Sequence, residues 1–193
     1  RTAACQPIVF PTQCPSCGST LVPDESQVMV RCLEGWSCGA QRVERLWHFA
    51  SRDAFDFEGV GRKQIEQWVK SGLVLSPADF FKLRVDDLLP LDRMGLKSAT
   101  NVVEAIAARR QVSLSRLLYA LGIREVGVTT AEALARYFEG IDPLKSASLE
   151  VLQGVEDVGP AIAGQIRLFF DMPDTEQLLQ ALQAVGVSWH SPE

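Results

Sequence analysis

The sequence predicts a mainly α protein: a small four-cysteine ribbon followed by an all-α domain of four repeats, each a helix, a tight hairpin and a second helix. Four cysteines near the start of the 193 residues have the spacing of metal ligands. Further along, apolar residues recur at helical spacing, and a Gly-containing turn returns at regular intervals. We expect a linker or the tail of a preceding domain over 1–13, the ribbon and a connecting helix over 14–52, and the helical domain over 53–193.

Composition and charge limit the class of protein. The chain is 47% hydrophobic, enough for one large or two small domains. It has no apolar run of the ~18 residues that cross a bilayer and no charged-then-apolar leader, so we expect neither a membrane nor a secreted protein. An opening on Arg1 rather than Met indicates a piece of a longer protein. Five cysteines, four of them at metal spacing, favour a reducing compartment and hence the cytoplasm.

The ribbon begins with a CxxC pair, Cys14 and Cys17, and a second pair follows at Cys32 and Cys38. The interval between the pairs leaves room for a hairpin, and the run 28–30 has the β-type residues that lead into Cys32. Zinc prefers four soft donors in a tetrahedron, and four thiolates fill that shell with no place for water or substrate. The sequence therefore predicts a structural zinc site, not a catalytic one.

Two alternatives to this ligand set remain. The four thiols could be free, but a ribbon of about 25 residues has too little core to fold without a staple. Zinc binding contributes roughly 10 to 16 kcal/mol in zinc-finger peptides, which is enough to order such a unit. Cys5 or His48 could replace one ligand, but neither has the spacing of a pair, and the interval from Cys32 to Cys38 is wider than in many ribbons.

Four turns recur in the helical part. Their closing glycines are 34, 32 and 32 residues apart, and an amphipathic helix follows each. The turns occupy 57–61, 91–95, 123–127 and 155–159. One such unit cannot bury its apolar face alone, so the units should pack together with the hairpins outside. A last helix over 175–185 carries Leu178, Leu179 and Leu182 and should close the core.

Glycines in such a turn bring the amide N–H groups that start the next helix close to a phosphate oxygen. This contact needs no general basic field, which matters because residues 53–193 hold 14 basic and 20 acidic side chains. Contacts of this kind go to the sugar-phosphate backbone, so we expect binding to duplex DNA irrespective of sequence. The candidate DNA-binding residues are Gly59, Gly61, Arg62, Lys63, Arg93, Gly95, Lys97, Arg124, Gly127 and Gly159.

The four hairpins are not equal. Only the first keeps both glycines, whereas Arg93, Glu125 and Asp157 stand at the first-glycine position in the others. Two of those three place a carboxylate near the expected phosphate. We therefore expect the first hairpin to bind DNA best, the second next because of Arg93, the third with help from Arg124, and the fourth to be structural. For any single turn, the alternative is a helix cap that serves packing alone.

Longer strings around these motifs, at 10–19, 31–32 with 38–41, 48–52 and 117–127, resemble the C-terminal zinc-finger and helix-hairpin-helix portion of bacterial NAD-dependent DNA ligases. The resemblance covers nearly the whole chain. It implies a parent enzyme that joins 3'-hydroxyl and 5'-phosphate ends in replication and repair: NAD adenylates a lysine, AMP passes to the 5'-phosphate, and the 3'-hydroxyl displaces it with magnesium assisting. It also implies a further domain after Glu193.

This chain has no Lys-x-Asp-Gly motif for an adenylated lysine, so we expect no catalytic residue in it and no sealing by the piece alone. Its partners would be nicked double-stranded DNA and the missing ligase domains, and it would be monomeric. Two other classes stay open: a DNA-binding accessory of a repair nuclease, which would bind without a ligase partner, and a protein-interaction module, which the acidic balance of 53–193 would suit.

Overall fold

A computed structural model of the chain describes residues 9–23 and 29–191. It divides into two units, Arg1–Arg42 and Val43–Glu193. The boundary expected from the sequence, between residues 52 and 53, stays a prediction. Within the described residues, the longest helices have 12 residues, and none is long and apolar enough to cross a membrane.

The first unit contains the ribbon. Strands β1 (Val22–Pro23) and β2 (Val30–Arg31) pair antiparallel, with Val22 opposite Arg31. Of the strand run expected over 28–30, residue 28 lies outside the described residues. A short 3₁₀ helix, Gly35–Ser37, follows β2. The connecting helix α1, Gly39–Ala50, starts immediately after Cys38.

The second unit is mainly helical, and most of its longer helices bury one apolar stripe. Its helices are α2 (Arg62–Lys70), α3 (Pro77–Phe80), α4 (Val85–Leu88), α5 (Leu96–Ala107), α6 (Leu114–Ala120), α7 (Val128–Phe138), α8 (Ile141–Ser146), α9 (Leu149–Leu152), α10 (Pro160–Asp171) and α11 (Pro173–Ala184). This confirms the mainly α class with a four-cysteine site. The closing helix α11 buries Leu179 and Leu182, as its period predicts.

Buried aromatic rings form the core beneath the first hairpin. Phe49 stacks on Phe55 with ring centroids 4.1 Å apart, and Phe57 meets Phe80 edge-on at 5.2 Å. Such ring pairs contribute about 0.5–1.5 kcal/mol each beyond the area they bury. Phe57 is the first residue of the first hairpin, so its packing in the aromatic core fixes the position of that turn.

Two short strands in the second unit were not expected from the sequence. β3 (Gln111–Ser113) pairs in parallel with β4 (Ser188–His190), with Val112 opposite Trp189. Strands of three residues are too short to show an alternating pattern, and parallel partners can lie far apart in the sequence. The segment after α11, which has no obvious closing pattern in the sequence, therefore returns to the strand that precedes α6.

Candidate metal centre and nucleic-acid interface

The four cysteines are brought together by the turns of the ribbon. The N–H of Cys14 donates to the carbonyl of Ser19 at 2.8 Å, and Gly18, at a φ of 75°, donates back to the carbonyl of Cys14. This left-handed residue closes the knuckle that carries the first pair of thiols. Cys32 comes directly after β2, and Cys38 directly before α1.

The sulfur positions fit a tetrahedral metal. Sγ of Cys14 lies 4.0 Å from that of Cys38, the Sγ atoms of Cys17 and Cys32 are 3.5 Å apart, and all four sulfurs lie within 4.8 Å of one another. Zinc–sulfur bonds of about 2.3 Å in a regular tetrahedron place sulfurs about 3.8 Å apart, which lies within this range. The residues present therefore suit a closed Cys₄ zinc site with a purely structural role.

Protonation of the thiols depends on their surroundings. The backbone N–H of Gln41 is the main group that lowers the pKa of Cys38, to about 6. The N–H of Glu34 acts in the same direction on Cys32, but burial and the neighbouring thiols, foremost that of Cys17, outweigh it and raise the pKa of Cys32 to about 12. At neutral pH the four thiols are thus not all ionised without a metal. Zinc binding must release protons and weaken in acid.

The two substitute ligands considered from the sequence have different outcomes. Cys5 lies outside the described residues. His48 has another partner, because its Nε2 donates to the carbonyl oxygen of Tyr119 at 2.7 Å and its ring packs on the Tyr119 ring with centroids 4.6 Å apart. These contacts explain His48 as a packing residue of the helical unit.

The four turns have one backbone geometry. In each, the N–H of the fourth residue donates to the carbonyl of the first, over 3.1 to 3.3 Å. The third residue is left-handed in all four turns, although only the first has glycine there; the φ values are 80° at Gly59, 61° at Arg93, 65° at Glu125 and 62° at Asp157. A positive φ at this position is typical of a type II turn. The second, third and fourth hairpins therefore keep the turn without the glycine.

The last residue of each turn is a glycine that precedes the first residue of α2, α5, α7 or α10, in extended backbone that any residue adopts. At Gly95, Gly127 and Gly159 an added Cβ would meet nothing within 4 Å. Neither backbone conformation nor packing therefore requires glycine at these three positions. After Gly95 and Gly127 the missing side chains leave the first amides of α5 and α7 open to an outside group, whereas the helix after Gly159 begins with Pro160.

Gly61 differs from the other three. Its N–H donates to Oε1 of Gln64 at 2.7 Å, a bond that caps α2 from within. In the first hairpin a phosphate would therefore find the amides of Arg62 and Lys63 open, and would compete with Gln64 for that of Gly61.

All ten candidate DNA-binding residues are exposed, but their charges are not equally free. Among the residues that the structure describes, Lys63, Arg93 and Lys97 make no ion pair. In contrast, Arg62 is paired with both Glu44 and Glu66, the latter at 3.1 Å, so these three side chains together carry a net charge of −1.

Arg124 lies 3.6 Å from the carboxylate of Glu125 in its own turn. The positive charge of Arg124, which was expected to help the third hairpin bind phosphate, is thus shared with a carboxylate.

The first and second hairpins lie side by side. One open groove is lined by Gly59 and Gln64 from the first and by Arg93 and Met94 from the second. A neighbouring groove is lined by Lys63 of α2 and again by Arg93. This second groove brings the cations Lys63, Lys70 and Arg93 together with the carboxylates Glu66 and Asp92.

The fourth hairpin offers the poorest anion site. Glu156 and Asp157 are exposed in its turn, and Pro160, the first residue of α10, has no N–H to donate. The two carboxylates are predicted from the sequence, but the effect of the proline is not. Trp47 and Gln64 are not predicted either, because their positions beside the first hairpin depend on tertiary packing. For Trp47 the one available sign is a large apolar residue next to, and not on, the buried stripe of α1.

Comparisons with known proteins agree with this geometry. Residues 13–40, which contain all four clustered cysteines, match the NAD-dependent DNA ligase C4 zinc finger domain. Residues 116–179, which contain the third and fourth turns, match the helix-hairpin-helix motif. The chain thus combines a C4 zinc finger with helix-hairpin-helix structure.

Two curated relatives are DNA ligases. The chain is 46% identical over 188 residues to the DNA ligase of Nitrosococcus oceani and 47% identical over 188 residues to that of Trichlorobacter lovleyi. Each alignment covers 97% of this chain, which spans only 28% of the length of each relative. The resemblance to the zinc-finger and helix-hairpin-helix portion of NAD-dependent DNA ligases is confirmed.

Proposed function

We propose that this chain is the part of an NAD-dependent DNA ligase that holds nicked duplex DNA through its sugar-phosphate backbone, irrespective of sequence. The parent enzyme would join 3'-hydroxyl and 5'-phosphate ends in replication and repair, in the cytoplasm. NAD and magnesium would serve domains outside this chain, which has no Lys-x-Asp-Gly motif and would not seal nicks alone. We expect it to act as a monomer beside those domains.

The observation that carries this proposal is the repeated open helix start. Four turns of one geometry each end on a glycine, and at three of these glycines neither backbone nor packing requires that residue. Amides at the start of a helix carry partial positive charge and bind phosphate even within a protein of net charge −5. Lys63, Arg93 and Lys97 would add charge-assisted contacts beside the first two turns.

The metal belongs to the same proposal. Cys14, Cys17, Cys32 and Cys38 would hold one zinc ion, which orders a ribbon whose other apolar side chains are largely exposed. The zinc would supply structural cross-linking and no chemistry on the substrate, because four thiolates leave no open coordination position.

The match of the ribbon to a ligase zinc finger favours the ligase over the repair-nuclease accessory and the protein-interaction module. Those alternatives also predict different binding. A protein-interaction module would be insensitive to DNA, and a nuclease accessory would bind without rescuing a ligase.

Fluorescence anisotropy against nicked, intact and single-stranded DNA, each at two salt concentrations, tests the proposal. We expect preference for duplex, no dependence on sequence, and a fall in affinity with salt that reports a few phosphate contacts. Equal affinity for single strands, or none for any DNA, would overturn the backbone-holding role. Restored sealing when the chain is added to a ligase that lacks this region would favour the ligase over a nuclease accessory.

A further inference from the structure

An exposed tryptophan lies next to the first hairpin. Trp47 is in α1, where its neighbours Leu46 and Phe49 are fully buried, yet its own exposed fraction is 43%. A large aromatic ring left partly in water does not stabilise the core and is enriched where proteins bind partners. Packing within the unit therefore does not explain why Trp47 is exposed.

Arg62 holds one side of this ring. Its guanidinium carbon lies 5.7 Å from the centroid of Trp47, within the range of a cation–π contact. The guanidinium is fixed in turn by the carboxylates of Glu44 and Glu66. Arg62 thus contacts Trp47 and is itself held by two glutamates, and all three charged side chains are about half exposed.

The arrangement also shows what Trp47 can contact. Arg62 and its two glutamates together carry a net charge of −1 and offer DNA no free cation, so the exposed part of the Trp47 ring is the surface left for an apolar contact. Arg62 is the first residue of α2 and directly follows Gly61, so this surface lies beside the amides proposed to hold a phosphate. The part of a DNA strand that adjoins a phosphate and is apolar is the deoxyribose.

The geometry points to Trp47 as a DNA contact that packs on the deoxyribose next to the phosphate held by the first hairpin, with Arg62 as the residue that positions it. This inference rests on the proposed function and adds a non-ionic contact to it. The expected loss on truncation is at the low end of aromatic contacts to nucleic acid, about five- to tenfold in affinity, because a sugar offers less surface than a base.

Binding of nicked duplex by the whole chain should be compared for Trp47→Ala, Trp47→Phe and the control Leu168→Ala, an exposed apolar residue on α10. We expect about five- to tenfold weaker binding for Trp47→Ala, less than about twofold change for Trp47→Phe, and none for the control. The salt dependence of Trp47→Ala should keep the slope of the unchanged chain, because the lost contact releases no counterion. Circular dichroism checks that the helices remain.

Acrylamide quenching of tryptophan fluorescence gives a second readout. DNA should shield part of the fluorescence in the unchanged chain, and this shielding should be lost in Trp47→Phe. Wild-type affinity in Trp47→Ala, or equal shielding in Trp47→Phe, would overturn the inference while leaving the proposed function intact. Absence of DNA binding by the unchanged chain would overturn both.

Discussion

The first and fourth hairpins have the same backbone but differ in their third residue and at the start of the helix that follows. Each has a left-handed third residue, Gly59 in one and Asp157 in the other, and each ends on a glycine that precedes a helix. Both carry an exposed carboxylate at the second position, Glu58 and Glu156. The first has free Lys63 beside its helix start, whereas the fourth adds Asp157, and its helix begins with a proline that has no N–H.

This difference separates what the fold requires from what a ligand requires. The buried first residues, Phe57 and Val155, anchor both turns to the core, so packing alone maintains the hairpin shape. Hydrogen-bond donors and charged side chains differ between hairpins that share this shape. Recurrence of the turn therefore identifies the architecture, while under the proposed function the exposed amides and side chains would decide which copies bind phosphate.

Removal of the metal has the largest expected effect. It tests whether the helical unit, which carries the hairpins, keeps its structure when the ribbon unfolds. Cys32→Ser should release zinc and unfold the ribbon, because about 10 to 16 kcal/mol of metal binding is lost and the ribbon has little core. The helical unit, with its own aromatic core, should keep its helices. Metal content and circular dichroism measure both effects; full zinc retention would contradict the ligand assignment.

A matched pair of carboxylates tests the comparison itself. Gly61→Asp and Gly159→Asp both add a residue that caps helices well, at positions where an added Cβ is free of clashes. We expect Gly61→Asp to weaken duplex binding on the order of 10- to 100-fold, because it sets a negative charge against a phosphate held by charge-assisted bonds.

Gly159→Asp should change affinity by less than about threefold, because the fourth hairpin already carries two carboxylates and contributes little. Melting temperatures should confirm that both variants are folded. Equal losses in anisotropy titrations would show that the fourth hairpin holds phosphate as well as the first does.

The smallest effect is expected from giving the fourth hairpin its missing donor. Pro160→Ala adds one N–H at the start of α10 and removes no described side-chain contact. Affinity for nicked duplex should rise by about two- to fivefold if the turn lies close to the backbone of the DNA, since the net gain of one such bond is about 1 kcal/mol. No change would place the fourth hairpin away from the DNA.

The sequence predicts much of the architecture because its main features are local. The spacing of Cys14 and Cys17, the four turns and the apolar stripes of the helices all depend on nearby residues. What it does not predict is tertiary. One partner of Arg62 is Glu44 in another helix, and β3 pairs with β4 near the far end of the chain. Likewise, the left-handed backbone at Arg93 follows from the packing of its turn and not from its residue type.

The proposed function requires above all that the amides at the hairpin glycines contact the DNA backbone. The most direct test is to record ¹H–¹⁵N spectra of the labelled chain while nicked duplex is added, with glycine signals assigned through Gly→Ala variants. We predict large shifts for the amides at and just after Gly61 and Gly95, and the smallest for Gly159. Unshifted signals at Gly61 and Gly95 in a chain that binds the duplex would contradict the account.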